Sequence, residues 1–478
     1  MIACFSLLFS GAQAQIRLPR VIGSNMILQR NQPVPLWGWA KPGATVKLQF
    51  ANQTQTAVAG ADGRWQLQLS PLQASSTPRS LTLTSDTSTV VLDNILVGEV
   101  WLCSGQSNME YQVKKPAGYK DPARGADSAA LELNRPNAAI RLFTVEKKLS
   151  HPDVTSNGWQ ESRGAALEQA SAAGYFFAKN LQQTLQVPVG IISSSWGGSR
   201  IEPWTPPSGY AALPAFRKET TAGNFMIDSM APGRNFSSMI EPLAPFALKG
   251  VLWYQGESNC MLEEPDMRYA DKMQALVHSW RTTWKNNSMP FYYVLVAPYR
   301  YTRRKDKLPH TEETLPLFWE QQVAAARIPH TGYVTITDLV DNLNDIHPSY
   351  KWEVGRRLSL VALAKTYNRK NTVYSGPQLE RAKVKGAQLV LSFKNAEGLK
   401  TTDGQQPNYF TLAGRDGKFV AANAVISGNT VVLSSPEVAQ PVTARFAWTE
   451  TAQPNLVNAA GLPAVPFRTD AAQWAYKK

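Results

Sequence analysis

Between residues 16 and 98, apolar and polar residues alternate in short stretches, a pattern that favours β-strands. The stretches are rich in β-branched and aromatic residues, and turn signals such as Pro42-Gly43 and Asp62-Gly63 separate them. The predicted strands cover residues 34–39, 44–50, 65–69, 80–84 and 89–92. Short strands at this regular spacing predict a β-sandwich, so we expect an N-terminal β-sandwich domain over residues 15–95.

From about residue 96 the pattern changes to apolar strands that alternate with amphipathic helices. The predicted strands are 189–192, 251–254, 291–297 and 333–337, and the predicted helices are 165–186, 266–284, 317–327 and 351–365. Nearly continuous apolar strands joined by helices predict a parallel sheet that is covered on both faces. We therefore expect an α/β domain over residues 96–372, with its ligand site at the carboxyl ends of the strands.

The strand pattern returns in the last part of the chain. Predicted strands cover residues 387–393, 409–412, 424–426, 430–433 and 444–448. Turn segments such as Asp416-Gly417 and Gly428-Asn429 separate them. A second β-sandwich over residues 373–478 is the simplest interpretation.

The first residues resemble a targeting segment. An apolar run from Phe5 to Phe9 is followed by Ala12-Gln13-Ala14, which fits an A-x-A cleavage site. We predict a signal peptide over residues 1–14 and a secreted or periplasmic location; the alternative is a short apolar N-terminal strand. No later stretch has the roughly 18 consecutive apolar residues that cross a bilayer, so we expect no membrane span.

Composition narrows the class of protein further. Hydrophobic residues make up 43% of the chain and charged residues 18%, a balance that excludes a mostly disordered protein. The net charge of +13 is spread along the chain rather than concentrated in one run, so we expect no nucleic-acid partner. Outside the predicted signal peptide the cysteines are Cys103 and Cys260, for which one disulfide and two buried thiols both remain open.

The segment Gly105-Gln106-Ser107 carries the strongest chemical signal. It follows an apolar stretch, so the hydroxyl of Ser107 is placed at the end of a predicted strand, with backbone N–H groups free to meet an oxyanion. Asn108-Met109 follows, so the second glycine of the Gly-x-Ser-x-Gly elbow of α/β-hydrolases is absent. A Gly-x-Ser turn alone is weak support for a nucleophile.

A nucleophilic serine needs a base that an acid orients. Among the five histidines, His347 stands out because it lies in a loop between a predicted strand and a predicted helix, with Pro348 after it. Asp345 is two residues away, and in an extended loop the two side chains point to the same side. The alternative is that His347 simply neighbours a helix cap.

Two further polar clusters follow predicted strands. They are Ser195-Trp196-Gly197-Gly198 and Gln255-Gly256-Glu257-Ser258-Asn259. Each alone fits an ordinary turn with polar caps, but several such clusters at strand ends fit a site better. Because no metal-binding or phosphate-binding motif is present, the residues indicate serine-based acyl transfer without a cofactor or metal.

These motifs resemble the sialate O-acetylesterases and their relatives among SGNH-type carbohydrate esterases, nearly from end to end. The segments that carry the resemblance are 98–110, 194–198, 253–259 and 345–348, with 26–30, 34–39 and 461–470 towards the two ends. The resemblance implies a hydrolase of O-acetylated carbohydrates. It also implies a flavodoxin-like, three-layer SGNH hydrolase domain between the two β-sandwich domains.

The resemblance also implies roles for individual residues. Ser107 would be the nucleophile and His347 the general base. The oxyanion would bind the N–H groups of Ser107 and of Gly198 or Gly197. A side-chain amide would complete the oxyanion hole.

Two departures from the SGNH pattern leave alternatives open. Ser258 stands at the usual position of the oxyanion asparagine, so Gln255 is the preferred amide donor and Asn259 the second. Asn344 stands at the usual acid position, so the triad acid is Asp345 or, second, Glu257.

The resemblance leaves the identity of the sugar open. Contacts to the sugar are expected from Gln106, Asn108, Trp196 and Arg200. Arg200 is the candidate partner for a sialic acid carboxylate. The alternatives are an acetylesterase of xylan or another hemicellulose, and a carbohydrate-binding protein without catalysis. The sequence does not indicate the oligomeric state.

Overall fold

The fold is described from a computed structural model that covers most of the chain. The described residues are 15–86, 88–124, 127–149, 152–221, 225–261, 268–304 and 309–470. The predicted signal peptide, residues 1–14, lies outside them. Across these described ranges no helix is both long and apolar enough to span a bilayer.

The N-terminal part is built from β-strands. They are β1 (Ile27–Gln29), β2 (Val34–Trp39), β3 (Thr45–Phe50), β4 (Gln53–Val58), β5 (Arg64–Leu69), β6 (Ser75–Ser85) and β7 (Ser88–Gly105). Alternate side chains of β3 and β5 are buried, as their period-two pattern predicts. β2 pairs with β5, and β3 pairs with β4 and β6, all antiparallel.

β7 connects this region to the centre of the molecule. Its first half pairs with β6, and its second half is an inner strand of the central sheet. The predicted strand at 89–92 and the apolar stretch after it are therefore one strand of 18 residues. Asn94 adopts a φ of +57° at a register shift opposite β6, so the turn-like residue forms a bulge inside a strand.

The central sheet brings the carboxyl ends of its parallel strands to one edge. Its further strands are β8 (Asn137–Thr144), β9 (Trp159–Ser162), β10 (Val189–Ser195), β11 (Gly250–Tyr254), β12 (Phe291–Val294) and β13 (Thr331–Val334). The order is β13-β12-β11-β7-β10-β8-β9, and only the pairing of β9 to β8 is antiparallel. After β7 the chain forms β8, β9 and β10 on one side of this strand, and later β11, β12 and β13 on the other side. This creates a switch point beside β7, where ligands bind in sheets of this kind.

Helices cover both faces of this sheet. The helices are α1 (Ser107–Glu110), α2 (Ser128–Glu132), α3 (Gly164–Glu168), α4 (Ala172–Leu185), α5 (Pro207–Ala211), α6 (Arg217–Thr220), α7 (Glu257–Cys260), α8 (Tyr269–Thr283), α9 (Thr314–Ala324) and α10 (Lys351–Lys365). Short 3₁₀ turns lie at Glu202–Trp204, Pro214–Phe216, Glu241–Leu243, Tyr301–Arg303 and Ala325–Arg327, and a π-helical turn lies at Phe236–Ile240. Side chains of α4 and α10 share a core with Trp101 and Cys103, whereas those of α8 and α9 share another with Val100 and Leu102. The predicted α/β organisation is confirmed, with a mixed rather than wholly parallel central sheet. The expected domain boundaries stay a prediction.

One predicted helix is interrupted. The pattern over residues 165–186 predicts a single helix, but the structure has α3 and α4 with a break between them. The hydroxyl of Ser171 accepts the N–H of Gly174 and so caps the start of α4. A capping serine inside an otherwise apolar helical pattern was the signal for this break.

The C-terminal part consists of antiparallel strands. They are β14 (Gln378–Lys385), β15 (Gln388–Lys394), β16 (Lys400–Thr401), β17 (Phe410–Ala413), β18 (Val420–Ala421), β19 (Asn423–Ser427), β20 (Thr430–Ser434), β21 (Thr443–Phe446), β22 (Leu456–Val457) and β23 (Phe467–Arg468). The sheets β14-β15-β20-β19 and β18-β17-β21-β23 contribute to one apolar core. Ion pairs Arg445–Glu313 and Arg468–Glu320 join this region to the central domain near α9.

Candidate active site

Ser107 begins α1, directly after the long strand β7. Gly105 makes this placement possible, because its φ is +140° and a Cβ there would lie 2.1 Å from the carbonyl oxygen of Tyr254 on β11. The chain therefore leaves the sheet in close contact with its neighbouring strand. As a result the serine hydroxyl stands at the carboxyl edge of the sheet, beside the switch point.

His347 meets this hydroxyl from a loop 240 residues further along the chain. Its Nε2 lies 2.8 Å from Oγ of Ser107. The side chain is 24% exposed, so the pair is accessible to water and substrate. Burial lowers the pKa of His347, the positive charge of Lys351 lowers it further, and Asp345 opposes the shift. The imidazole is therefore neutral at neutral pH, as a general base must be.

The two candidate acids occupy different environments. Oδ1 of Asp345 lies 3.8 Å from Nδ1 of His347 and accepts the backbone N–H of His347 at 2.9 Å. Glu257 is buried beneath the loop, and its Oε1 accepts a hydrogen bond of 2.5 Å from Nδ2 of Asn108. Burial raises the pKa of Glu257. In the described part of the chain Glu257 makes no ion pair with His347, so Asp345 is the acid at ion-pair distance from the imidazole.

Two backbone N–H groups beside the nucleophile lack a hydrogen-bond partner in the part of the chain that the structure describes. Gly197 packs against it, since a Cβ at this glycine would lie 3.5 Å from Cβ of Ser107. The N–H of Gly197 is occupied, because it donates to Oε2 of Glu110 at 2.7 Å. The N–H groups of Ser107 and Gly198 have no hydrogen-bond partner among the described residues. Of the two glycines considered for the oxyanion hole, Gly198 is the one with an available donor.

The two amides that the sequence suggested for the oxyanion hole are engaged inside the protein. Nε2 of Gln255 donates to Oε1 of Gln106 and to Oδ1 of Asn259 at 3.1 and 2.8 Å. Nδ2 of Asn259 donates to Oε1 of Glu202 at 2.9 Å. Both side chains are buried. They therefore support the loops around the nucleophile in this structure, and their role as oxyanion donors stays a prediction.

Most of the side chains predicted to contact the sugar also lie beneath the surface. Gln106 and Asn108 are buried, and Asn108 donates a second bond to the carbonyl of Ile346 at 3.0 Å. The guanidinium of Arg200 bonds the carbonyl of Asp228 at 2.9 Å and Oε1 of Glu202 at 3.0 Å. Trp196 is only half-buried. Of these four residues, Trp196 is the one that presents a substantial surface.

A cleft of about 390 Å³ opens beside the base. Its lining includes Lys120, Asp345, His347 and Ser349. The ring of Tyr119 lies 5.3 Å from the imidazole, centroid to centroid. The cleft exposes the loop that carries His347 and Asp345 to a ligand.

The sequence interpretation missed two charged residues next to the site. Glu110 binds the N–H of Gly197, and Lys351 lies fully buried behind the base loop. A lysine in the first turn of a predicted helix was a usable signal, since a cation there opposes the helix dipole.

The structure also bears on the cysteines and on metal binding. Cys103 and Cys260 are both buried and free, so they form no disulfide in this structure. Across the described ranges, no three His, Cys, Asp or Glu side chains are grouped to hold a metal ion.

Comparison with known proteins identifies the class and then the family. The fold and the relatives together define a carboxylic-ester hydrolase that belongs with the carbohydrate esterases. A family model described as carbohydrate esterase, sialic acid-specific acetylesterase, matches residues 97–364. The chain belongs to this family, as its motifs predicted.

Individual relatives agree with this membership. The chain is 29% identical to the sialate O-acetylesterase of Rattus norvegicus over 430 residues, which are 77% of this chain and 76% of the relative. It is also 29% identical to the human sialate O-acetylesterase, over 76% of this chain and 74% of that one. The crystal structure of a carbohydrate acetylesterase from Xanthomonas citri superposes with a TM-score of 0.84 at 34% identity, over 95% of this chain and all of the other.

Proposed function

We propose that the protein removes O-acetyl groups from carbohydrates through an acyl-enzyme formed on Ser107. The observation that carries this proposal is the 2.8 Å contact between Oγ of Ser107 and Nε2 of His347. The neighbouring N–H groups of Ser107 and Gly198, unpaired among the described residues, supply donors for an oxyanion.

In the first half of the reaction, Oγ of Ser107 attacks the acetyl carbonyl carbon, and its proton passes to Nε2 of His347. The negative charge that develops on the carbonyl oxygen is stabilised by the N–H groups of Ser107 and Gly198. The imidazolium formed on His347 is stabilised by Asp345. The bond from the acetyl carbon to the sugar oxygen then breaks, and that oxygen takes the proton from His347.

In the second half, water attacks the acetyl carbon of the acyl-enzyme and gives a proton to Nε2 of His347. The same N–H groups stabilise the second oxyanion. The bond between Oγ of Ser107 and the acetyl carbon breaks, Oγ takes the proton back from His347, and acetic acid leaves and ionises to acetate. His347 thus acts twice as base and twice as acid, and no cofactor is needed.

Sialic acid is the first substrate candidate because the family and the curated relatives point to it. A neutral acetylated polysaccharide such as acetylxylan is the second, and Arg200 is the observation that favours it. Its guanidinium bonds Glu202 and Asp228 inside the protein, so it is not directed to a sugar carboxylate. Comparing kcat/KM on O-acetylated sialic acid and O-acetylated xylan distinguishes the two candidates.

The mechanism is tested with Ser107→Ala, with Ser70→Ala at an exposed position directly after β5 as the control. We expect acetate release from acetylated sugars to fall by at least about 1000-fold in the first variant and to stay unchanged in the second. A serine-directed phosphonate should label the folded wild type but not Ser107→Ala. Unlabelled wild type would favour the carbohydrate-binding alternative, and full activity of Ser107→Ala would remove the proposed mechanism.

We also propose a domain layout and a cellular location for the protein. An SGNH-type domain over residues 96–372 lies between β-sandwich domains at 15–95 and 373–478, and the chain is exported after loss of residues 1–14. The A-x-A motif before Gln15 supports export. N-terminal sequencing of the protein recovered from the periplasm or medium should begin at Gln15.

A further inference from the structure

Lys351 is a fully buried cation at the first position of α10. Lysine side chains are rarely buried without an ionic partner, and a cation at a helix start also opposes the helix dipole. Burial and the helix dipole therefore both raise the free energy of a charged Lys351 in the folded protein. A function for the ammonium group, rather than ordinary packing, would account for its presence there.

The contacts of the ammonium place it directly behind the base. Nζ of Lys351 donates a hydrogen bond to the carbonyl of Pro348, the residue that follows His347. It also lies 4.8 Å from the ring centroid of Tyr111 and 5.5 Å from that of Tyr254. These aromatic faces stabilise a cation in a site away from water.

Carboxylates surround this position without touching it. Across the described ranges, no acidic side chain lies within ion-pair distance of Nζ, but Glu257 and Asp345 both act on it electrostatically. Oε2 of Glu257 is itself buried and has no hydrogen-bond partner among the described residues. The charged and titratable groups that face Lys351 come from several elements. They are Glu257 on α7, Asp345 and His347 in the loop before α10, Tyr111 after α1, and Tyr254 on β11. Asp127 acts electrostatically on Tyr111.

We infer that Lys351 is a positioning residue of the esterase site: it holds the turn that carries His347 through the carbonyl of Pro348 and provides the positive charge behind the imidazole. The inference rests on the proposed role of His347 as general base. A change in the turn at Pro348 would move Nε2 away from Oγ of Ser107.

The electrostatic part of this role has a definite sign. The charge of Lys351 lowers the pKa of His347, so it favours the neutral imidazole that accepts the serine proton. Burial lowers the pKa of Lys351 itself to about 7, so below that pH the ammonium group is charged and its charge acts on His347. Removing the cation should therefore raise the pKa of His347. As the pH is lowered, the variant should then lose activity at a higher pH than the wild type does.

The test compares Lys351→Met, Lys351→Gln and a matched control, Lys365→Met. Lys365 lies at the other end of α10, and its Nζ likewise donates to a backbone carbonyl, that of Thr331 at 2.9 Å. The full-length variants are assayed for acetate release as a function of pH, and their folding is checked by circular dichroism.

We expect Lys351→Met to lower kcat by about tenfold or more with little change in KM, because the base is misplaced rather than the substrate. The acid limb of its kcat/KM profile should move up by about 0.5 to 1 pH unit. Lys351→Gln keeps a donor without the charge, so it should recover part of kcat while its acid limb stays displaced. Lys365→Met should keep the wild-type profile.

Three outcomes would overturn the inference. The first is a folded Lys351→Met variant with the kcat and the acid limb of the wild type. The second is an acid limb in Lys365→Met that is displaced as far as in Lys351→Met. The third, used if Lys351→Met does not fold, is a wild-type acid limb in Lys351→Gln. The proposed function fails separately, through full activity of Ser107→Ala, so the two failures are distinguishable.

Discussion

Asp345→Asn tests the assignment of the triad acid. Oδ1 of Asp345 lies 3.8 Å from Nδ1 of His347, and the two side chains are 31% and 24% exposed. Unit charges at this separation interact by about 1 kcal/mol in water and about 4 kcal/mol at an effective dielectric constant of 20. Partial exposure places this pair between those limits, at about 2 kcal/mol.

The attraction between Asp345 and His347 acts only when His347 is protonated, and His347 becomes protonated as the tetrahedral intermediate forms. We therefore expect Asp345→Asn to lower kcat/KM by about 30-fold, since 1.36 kcal/mol corresponds to a factor of ten. Asparagine keeps an oxygen that accepts the N–H of His347, so the loop geometry is preserved. Because Asp345 raises the pKa of His347, the acid limb of the variant should also move to lower pH.

The assay is acetate release from an acetylated sugar between pH 4 and 9. Asp416→Asn is the matched control, because Asp416 accepts the N–H of Lys418 in the same type of turn on the C-terminal sheets. Glu257→Gln is the competing variant. If Asp345→Asn stays within about twofold of wild type while Glu257→Gln loses about 30-fold, the electrostatic reasoning is wrong and Glu257 is the acid.

Three further predictions follow from the same geometry. Because burial and Lys351 lower the pKa of His347, the acid limb of the wild-type kcat/KM profile should fall below pH 6.5, the usual value for histidine; a limb above 6.5 would contradict this. Glu110→Gln weakens the bond that holds the N–H of Gly197, so kcat should fall by about tenfold with little change in KM, as steady-state kinetics would show. Gly105→Ala forces a Cβ to 2.1 Å from the carbonyl of Tyr254, so soluble folded protein should be lost in expression trials, whereas Gly43→Ala, at an open turn, should be retained.

The fold was largely predictable because its elements carry clear periodic patterns. The α10 helix has the predicted bounds, and the predicted strand at 251–254 forms nearly all of β11. Strands β8 and β9 of the central sheet were not predicted. β7 also differed, because Asn94, a residue type common in turns, adopts a left-handed conformation inside a strand. Local sequence cannot distinguish a bulge from a turn, since both favour asparagine at positive φ; the pairing with β6 decides it.

The serine–histidine contact was also predictable, because parallel strands bring their carboxyl ends to one edge and the motifs follow those ends. What sequence could not provide was the direction of each polar side chain. Gln106, Gln255 and Asn259 were expected in the cleft, yet they bond one another below it, across separations of up to 149 residues. A buried amide must find partners or pay the full cost of desolvation, so several amides placed close together satisfy one another before they face solvent. The polar residues at these strand ends therefore form two layers. The upper layer holds Ser107, His347 and the N–H groups of Ser107 and Gly198, and the lower layer fixes the loops from which those groups project.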